Sequence, residues 1–219
     1  MGPMTRPLLL PATGFAAISL VAGCAPDYQP KVEAPSPKEA TAAPSGETAT
    51  AIFAGGCFWC TEADFEKVPG VLSAVSGYTG GTLRSPTYEQ VSAGGTGHYE
   101  AVRVTYDPAR VSYEQLTDYY FRTVDPTDAG GQFCDRGDSY RTAIFVAGPE
   151  QRRVAEAEKT EAAAALADEV VTPVLPAAPF YEAEAYHQDY YKKNPVRYRF
   201  YRTRCGRDAR LEELWAATN

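Results

Sequence analysis

The segment Ala51-Ile52-Phe53-Ala54-Gly55-Gly56-Cys57-Phe58-Trp59-Cys60 constrains this chain more than any other. A short apolar run ended by glycines reads as a buried strand, and two glycines let the backbone turn sharply. A helical pattern follows, with Phe58, Phe65 and Val68 broadly on one side, until Pro69-Gly70 stops it. Cys57 therefore falls on the first turn of a helix that starts directly behind a strand. Free N–H groups and the helix dipole at such a place favour a thiolate, so the Cys57 thiol is expected to be acidified and nucleophilic. Phe58 and Trp59 come next and can wall an apolar pocket beside the sulfur.

The rest of the outline is an irregular interleaving of strands and helices. Val71 to Val75 and His98 to Tyr106 read as strands; in the second, Val102, Val104 and Tyr106 alternate with Arg103 and Thr105, as on a half-buried sheet. Ser112 with Gln115 three residues on forms a capping box, opening a helix striped by Leu116, Tyr119 and Tyr120. Thr142 to Val146 is another strand, and Pro149 begins an Ala- and Glu-rich helix that reaches about Asp168. Val170 to Leu175 reads as an edge strand, because Pro173 removes a ladder donor. Glu184 to Lys193 and Leu211 to Ala217 complete the set as short helices. This pattern predicts an α+β fold on a mixed sheet, a single domain over residues 50–219. Two Gly-rich stretches, 77–97 and 125–140, read as long functional loops.

Upstream, Arg6 precedes an apolar run from Leu8 to Val21 that is interrupted by Pro11, too short to span a bilayer and ending in small residues. Leu20-Val21-Ala22-Gly23-Cys24 resembles the bacterial lipobox. That resemblance implies a signal peptide over residues 1–23, cleavage after Gly23, and lipidation of Cys24. The protein is then exported and lipid-anchored, at the periplasmic face of a bacterial membrane, touching the membrane through the anchor only. Residues 24–49 are rich in Pro, Ala, Ser and Glu with no apolar periodicity, and read as a flexible linker. The formal net charge of −7, with no dominating basic patch, excludes nucleic acid as the expected partner.

Cys57 and Cys60 admit several chemistries. A zinc-type site needs four ligands, and Cys134, Cys205, His98 and His187 stand at no recognisable spacing, so no metal is expected. A thioredoxin-like C-x-x-C acting on protein disulfides is the alternative, although the bulky Phe58-Trp59 pair fits that motif poorly. Gly56-Cys57-Phe58-Trp59 resembles the signature of the A-type peptide methionine sulfoxide reductases. Gly77-Tyr78-Thr79-Gly80-Gly81, Pro86-Thr87-Tyr88, Gly97-His98-Tyr99-Glu100, Gln132-Phe133-Cys134-Asp135-Arg136-Gly137 and Tyr140-Arg141 follow in that family's order. The resemblance runs from about Ala49 to the C-terminus and implies a two-layer α/β sandwich on a mixed sheet.

It also implies an activity: reduction of the S epimer of methionine sulfoxide, free or in oxidised proteins, to methionine. Cys57 is then the nucleophile, which becomes a sulfenic acid and closes to an intramolecular disulfide. Glu100 matches the catalytic acid, kept protonated by burial. Tyr88 and Tyr140 match two phenols that hold the sulfoxide oxygen. Phe58 and Trp59 form the methyl pocket, and Asp135 orders the site and contacts the substrate backbone. For the resolving cysteine the order is Cys205, on a mobile tail, then Cys60, then Cys134, which stands where many relatives carry Asn. No bound cofactor is implied; the electrons come from an external thioredoxin-like dithiol reductant, and the protein is expected to be a monomer. His98 is expected to be a structural hydrogen-bond partner, and His187 a packed histidine on a surface helix.

Overall fold

A computed structural model describes residues 1–2 and 46–216. Residues 3–45, which hold nearly all of the expected signal peptide, Cys24 and most of the expected linker, lie outside the described residues. The chain enters the fold as β1 (Ala49–Gly55), α1 (Phe58–Phe65), β2 (Val71–Thr79), α2 (Tyr88–Ser92), β3 (Tyr99–Tyr106) and α3 (Tyr113–Thr123). A small hairpin of β4 (Gly131–Gln132) and β5 (Asp135–Arg136) precedes β6 (Thr142–Val146), α4 (Pro149–Leu166), β7 (Val174–Pro176) and β8 (Tyr181–Glu182). Three helices close the chain: α5 (Tyr190–Lys193), α6 (Pro195–Arg204) and α7 (Arg207–Trp215).

Six strands form one sheet in the order β7-β6-β1-β3-β2-β8, antiparallel except for the β6–β7 pair. The sheet is mixed and the fold α+β, as the interleaved pattern predicts. Pleating sends alternate residues to opposite faces. Phe53, Val102, Val104 and Ile144 face the helices, where Phe53 stacks on Phe65 at 4.8 Å and on Tyr120 at 5.0 Å. Each such fully buried aromatic contributes roughly 1.5–3 kcal/mol. Ala54, Tyr99, Ala101 and Phe145 make a smaller cluster on the other face. The register pairs Glu100 of β3 with Tyr78 of β2 and puts its side chain on the helix face, in step with Val102.

The capping box at Ser112 is present, with Gln115 N–H to Ser112 Oγ at 3.1 Å and Ser112 N–H to Gln115 Oε1 at 2.9 Å. The expected edge strand is the short β7, starting only after Pro173. Three expectations are corrected. The stretch 77–97 is not all loop: Gly77–Thr79 extend β2, and α2 opens on a second capping box at Thr87. Residues 184–193 form a helix only in their last turn, because the side chains of Glu184, His187 and Gln188 are held by residues from elsewhere in the chain. Gln188 shows this best: its side-chain amide bonds both Ser76 N–H and Ser76 C=O, mimicking a strand partner. Third, α6 carries residues that gave no helical signal, and it packs its Tyr198 against Cys60 and Ala63 of α1. The C-terminal region is pinned there by Arg202, whose Nη1 makes two 2.9 Å bonds to the buried Asp64 carboxylate.

Candidate active site

Gly55-Gly56 make the sharp turn the sequence implies. Gly56 has φ +78°, and a Cβ there would lie 2.5 Å from the Gln132 Cβ. Cys57 is the N-cap of α1, with φ −52° and ψ 117°, so it stands outside the helix proper while its carbonyl accepts the N–H groups of Cys60 and Thr61. The first free helix donor, Phe58 N–H, is bonded at 3.0 Å to Glu100 Oε2. That single bond ties the acid to the residue after the cysteine.

Glu100 is 3% exposed, and burial pushes its carboxyl up to about 8, with the Phe58 N–H pulling the other way. At pH 7 the acid form then outnumbers the carboxylate about ten to one. Because the bonded N–H needs only an acceptor oxygen, the carboxyl proton is left for a ligand. The Tyr88 and Tyr140 hydroxyls neighbour each other, and both are raised by burial and by the Glu100 charge. Each also feels the Cys57 sulfur. Tyr88 is fixed by its own N–H, which donates to Glu184 Oε1 at 2.9 Å. Tyr140 ends a single 3-10 turn at Asp138–Tyr140.

The thiols behave differently from expectation. Cys57 is only 6% exposed, and its thiol is held well above the ordinary value by burial, then by a hydrogen bond with Cys60. The helix start does not acidify it, since the nearest N–H is spent on Glu100 and desolvation opposes the dipole. The acidified partner is Cys60. The bond from Cys57 brings it down to about 7 against its own burial, helped by the guanidinium groups of Arg207 and Arg202. Arg207 is buried beneath the turn, donating from Nη2 to the carbonyls of Gly55 (3.1 Å) and Thr123 (2.8 Å).

Asp135 lies on the β4–β5 hairpin, raised by burial and accepting a bond from the Tyr201 hydroxyl of α6. Burial and the neighbouring Cys57 sulfur raise the Tyr201 hydroxyl, so it stands between the loop carboxyl and the nucleophile. Gln132 closes the base of that loop, with its Oε1 accepting from Asp125 N–H at 2.8 Å and its Nε2 donating to Asp125 C=O at 2.7 Å. Phe58 is fully buried, whereas Trp59 is half-buried and stacks on Tyr190 at 3.7 Å, with its indole N–H donating to His187 Nδ1 at 3.0 Å. His187 is therefore no surface-helix residue: it is buried in an irregular segment, neutral, and carries its proton on Nε2. His98 fills the structural role expected of it, bonding Leu83 C=O through Nε2 at 2.8 Å.

Cys205 caps α6 rather than riding on a loose tail, and it forms a disulfide with Cys134. The cysteine ranked first for resolution is thus paired with the one ranked last, and the thiol in contact with Cys57 is Cys60. Tyr201, Tyr190, Arg207 and Gln132 are site residues that sequence reasoning missed. Gln132 stood in the quoted loop motif without a role, and the signal for the other three was aromatic and cationic density in the last thirty residues, which has no fixed spacing to Cys57.

The family described as peptide methionine sulfoxide reductase matches residues 49–219. "Peptide methionine sulfoxide reductase MsrA 2" of Caulobacter vibrioides is 59% identical over 177 residues, covering 80% of this chain and 89% of that protein. "Peptide methionine sulfoxide reductase MsrA" of Bacillus subtilis is 52% identical over 169 residues, covering 76% and 96%. Among solved structures, methionine sulfoxide reductase A of Corynebacterium diphtheriae is 35% identical with a TM-score of 0.62, covering 69% of this chain and 78% of that one. Mxr1 from Saccharomyces cerevisiae in reduced form is 31% identical with a TM-score of 0.66, covering 69% and 88%. With a match from β1 to the last residue, over a site that joins Cys57, Glu100 and two tyrosines, the chain belongs to the peptide methionine sulfoxide reductase family.

Proposed function

We propose that this protein reduces the S epimer of methionine sulfoxide, free or in oxidised proteins, with Cys57 as the nucleophile and Glu100 as the acid. The observation that carries the reading is the Phe58 N–H to Glu100 bond, which sets a protonated carboxyl one residue from the sulfur and beside two phenols. The sulfoxide oxygen sits among Glu100, Tyr88 and Tyr140, where donors meet the charge it gains as the S–O bond breaks. Phe58 is closed into the core, so Trp59 supplies the open wall for the methyl group, and Asp135 orders the loop opposite.

The proton ledger closes with the residues present. Cys60, a thiolate near neutrality, takes the Cys57 proton as Cys57 attacks the substrate sulfur. Glu100 gives its proton to the departing oxygen, leaving Cys57 as a sulfenic acid and methionine as product. The Cys60 thiol then displaces hydroxide from Cys57; water leaves and a Cys57–Cys60 disulfide remains. Cys57 stands at the N-cap rather than inside the helix, where the backbone is free of the helical φ/ψ that would otherwise fix the two sulfurs. Glu100 regains a proton from solvent, and an external dithiol of the thioredoxin type returns the two electrons. Export and lipid anchoring through Cys24 complete the proposal, and the mass of the mature N-terminus tests them.

The test is mass spectrometry of the reduced protein after one equivalent of methionine sulfoxide. The expected result is a Cys57–Cys60 link, one methionine, and no sulfoxide loss in Glu100→Gln. A thiol-disulfide oxidoreductase using the same two cysteines would instead reduce protein disulfides and be indifferent to Glu100→Gln.

A further inference from the structure

The segment from Tyr190 to Arg204 carries Lys192, Lys193, Arg197, Arg199, Arg202 and Arg204 and no acidic residue, in a chain of formal charge −7. Three of these cations are spent internally, Lys192 on Glu66 and Asp189, Lys193 on the carbonyls of Ala185 and Gln188, and Arg202 on Asp64 and Asp208. The three remaining arginines form no ion pair among the described residues. At 100° per residue α6 divides cleanly: Tyr198, Tyr201, Arg202 and Cys205 turn inward to the site, while Val196 and Phe200 point to solvent, 81% and 68% exposed. Arg197, Arg199 and Arg204 flank that apolar ridge, all exposed, and none of the three is ion-paired among the described residues. An apolar ridge rimmed by unpaired cations is the composition of a recognition surface rather than of a solvated helix. The same helix ends on Cys205, whose disulfide partner Cys134 is exposed.

We propose that the outward face of α6 docks the reductant, an acidic dithiol protein with an apolar contact patch, and presents to it the Cys134–Cys205 disulfide. This rests on the reading that turnover draws electrons from an external dithiol. A partner thiolate attacks Sγ of Cys134, the Cys134–Cys205 bond breaks, and Cys205 leaves as a thiolate that takes up a proton. The partner's second thiol then displaces Cys134, so the partner departs as a disulfide and two electrons have moved onto this chain. The Cys134–Cys205 disulfide borders the site: the Asp135 carboxylate lies within 4.8 Å of both sulfurs and accepts from the hydroxyl of Tyr201, one turn before Cys205. The reduced pair passes its electrons to the Cys57–Cys60 disulfide by a second exchange of the same kind. An anionic bilayer would match the charge of α6 equally well, but it explains neither the exposed disulfide at the helix end nor the site on the inner face.

The test combines charge reversal with trapping. The variant Arg197→Glu/Arg199→Glu/Arg204→Glu is expected to keep its dithiothreitol-driven rate, because none of the three side chains faces the site. Its kcat/KM for an acidic thioredoxin is expected to fall at least tenfold, through KM, with the deficit shrinking as salt screens the surface. A thioredoxin whose resolving cysteine is Ser should form a mixed disulfide on Cys134, about tenfold more slowly with the variant. Trapping needs no sulfoxide, so it reads the docking surface even where sulfoxide reduction itself fails. Phe200→Ala gives a smaller change in the same direction and serves if the triple variant does not fold. Equal trapping rates in variant and wild type would overturn the proposal, as would trapping that is unaffected while phosphatidylglycerol vesicles bind only the wild type.

Discussion

Replacing Glu100 with Gln tests the site at its centre, because glutamine keeps an acceptor oxygen for Phe58 N–H and removes only the transferable proton. Two consequences follow, one kinetic and one thermodynamic. Losing a positioned general acid lowers kcat by about 10²–10⁴. In the wild type kcat/KM should rise through about pH 7 as Cys60 ionises and fall through about pH 8 as Glu100 loses its proton. The variant should retain the lower limb and lose the upper one. For folding, the sign comes from the raised carboxyl. Between 4.5 and about 8 the unfolded chain has released this proton and the folded chain has not, so rising pH favours unfolding across that window. The gap corresponds to about 5 kcal/mol at full ionisation, an upper figure for one buried group. The stability difference between wild type and variant should therefore shift in favour of glutamine from pH 4.5 to 8 and level off above. Urea melts at four pH values and initial rates on N-acetylmethionine sulfoxide, driven by dithiothreitol, measure both. A variant that keeps more than a tenth of the wild-type rate, or that retains the fall at pH 8, would refute the assignment of the acid.

Cys60→Ser removes the base as well as the resolving thiol, so release of the single methionine per enzyme should slow at least tenfold and leave a sulfenic acid on Cys57 that dimedone labels; dithiothreitol-driven turnover at the wild-type rate would assign both roles elsewhere. Gly56→Ala must hold φ +78° and push a methyl group against Gln132, at a cost of about 1–3 kcal/mol for the backbone alone, so thermal melting should show a Tm several degrees lower. Asp64→Ala removes the buried carboxylate that faces Arg202 and Arg207, while Arg202 keeps Asp208; losing hydrogen bonds to a charged group costs about 1.5–3 kcal/mol, which calorimetry should register as a Tm several degrees lower.

What could be read from the sequence was whatever local chemistry dictates. Gly55-Gly56 force a turn wherever they stand, and Ser112 with Gln115 caps a helix from its own side chains, so the strand-turn-helix around Cys57 and the start of α3 needed no knowledge of distant residues. Glu100 was legible through the match of Gly97-His98-Tyr99-Glu100 to the family's order, and the structure places it in step with Val102 on the covered face of β3. The segment 184–189 was not, because its conformation is set from outside. Glu184 accepts from Tyr88 N–H, His187 accepts from the Trp59 indole, and Gln188 replaces a strand partner for Ser76. A helix there would have satisfied its own N–H groups and left those three partners bare, so tertiary demand overrode local periodicity.

The acidity of the two thiols shows the same limit in electrostatic form. A helix start favours a thiolate on Cys57 only if its free N–H groups point at the sulfur and water can reach it. Here Phe58 N–H is taken by a carboxyl contributed from 42 residues away, and the sulfur is buried. The cations that favour a thiolate, Arg202 and Arg207, come from the far end of the chain and reach Cys60 instead. These cations lower the Cys60 thiol one turn away from the attacking atom, so the ionisation of Cys57 is coupled to that of Cys60. That coupling depends on the C-terminal arginines staying docked, which ties the chemistry of Cys57 to the packing of α6 and α7 against α1.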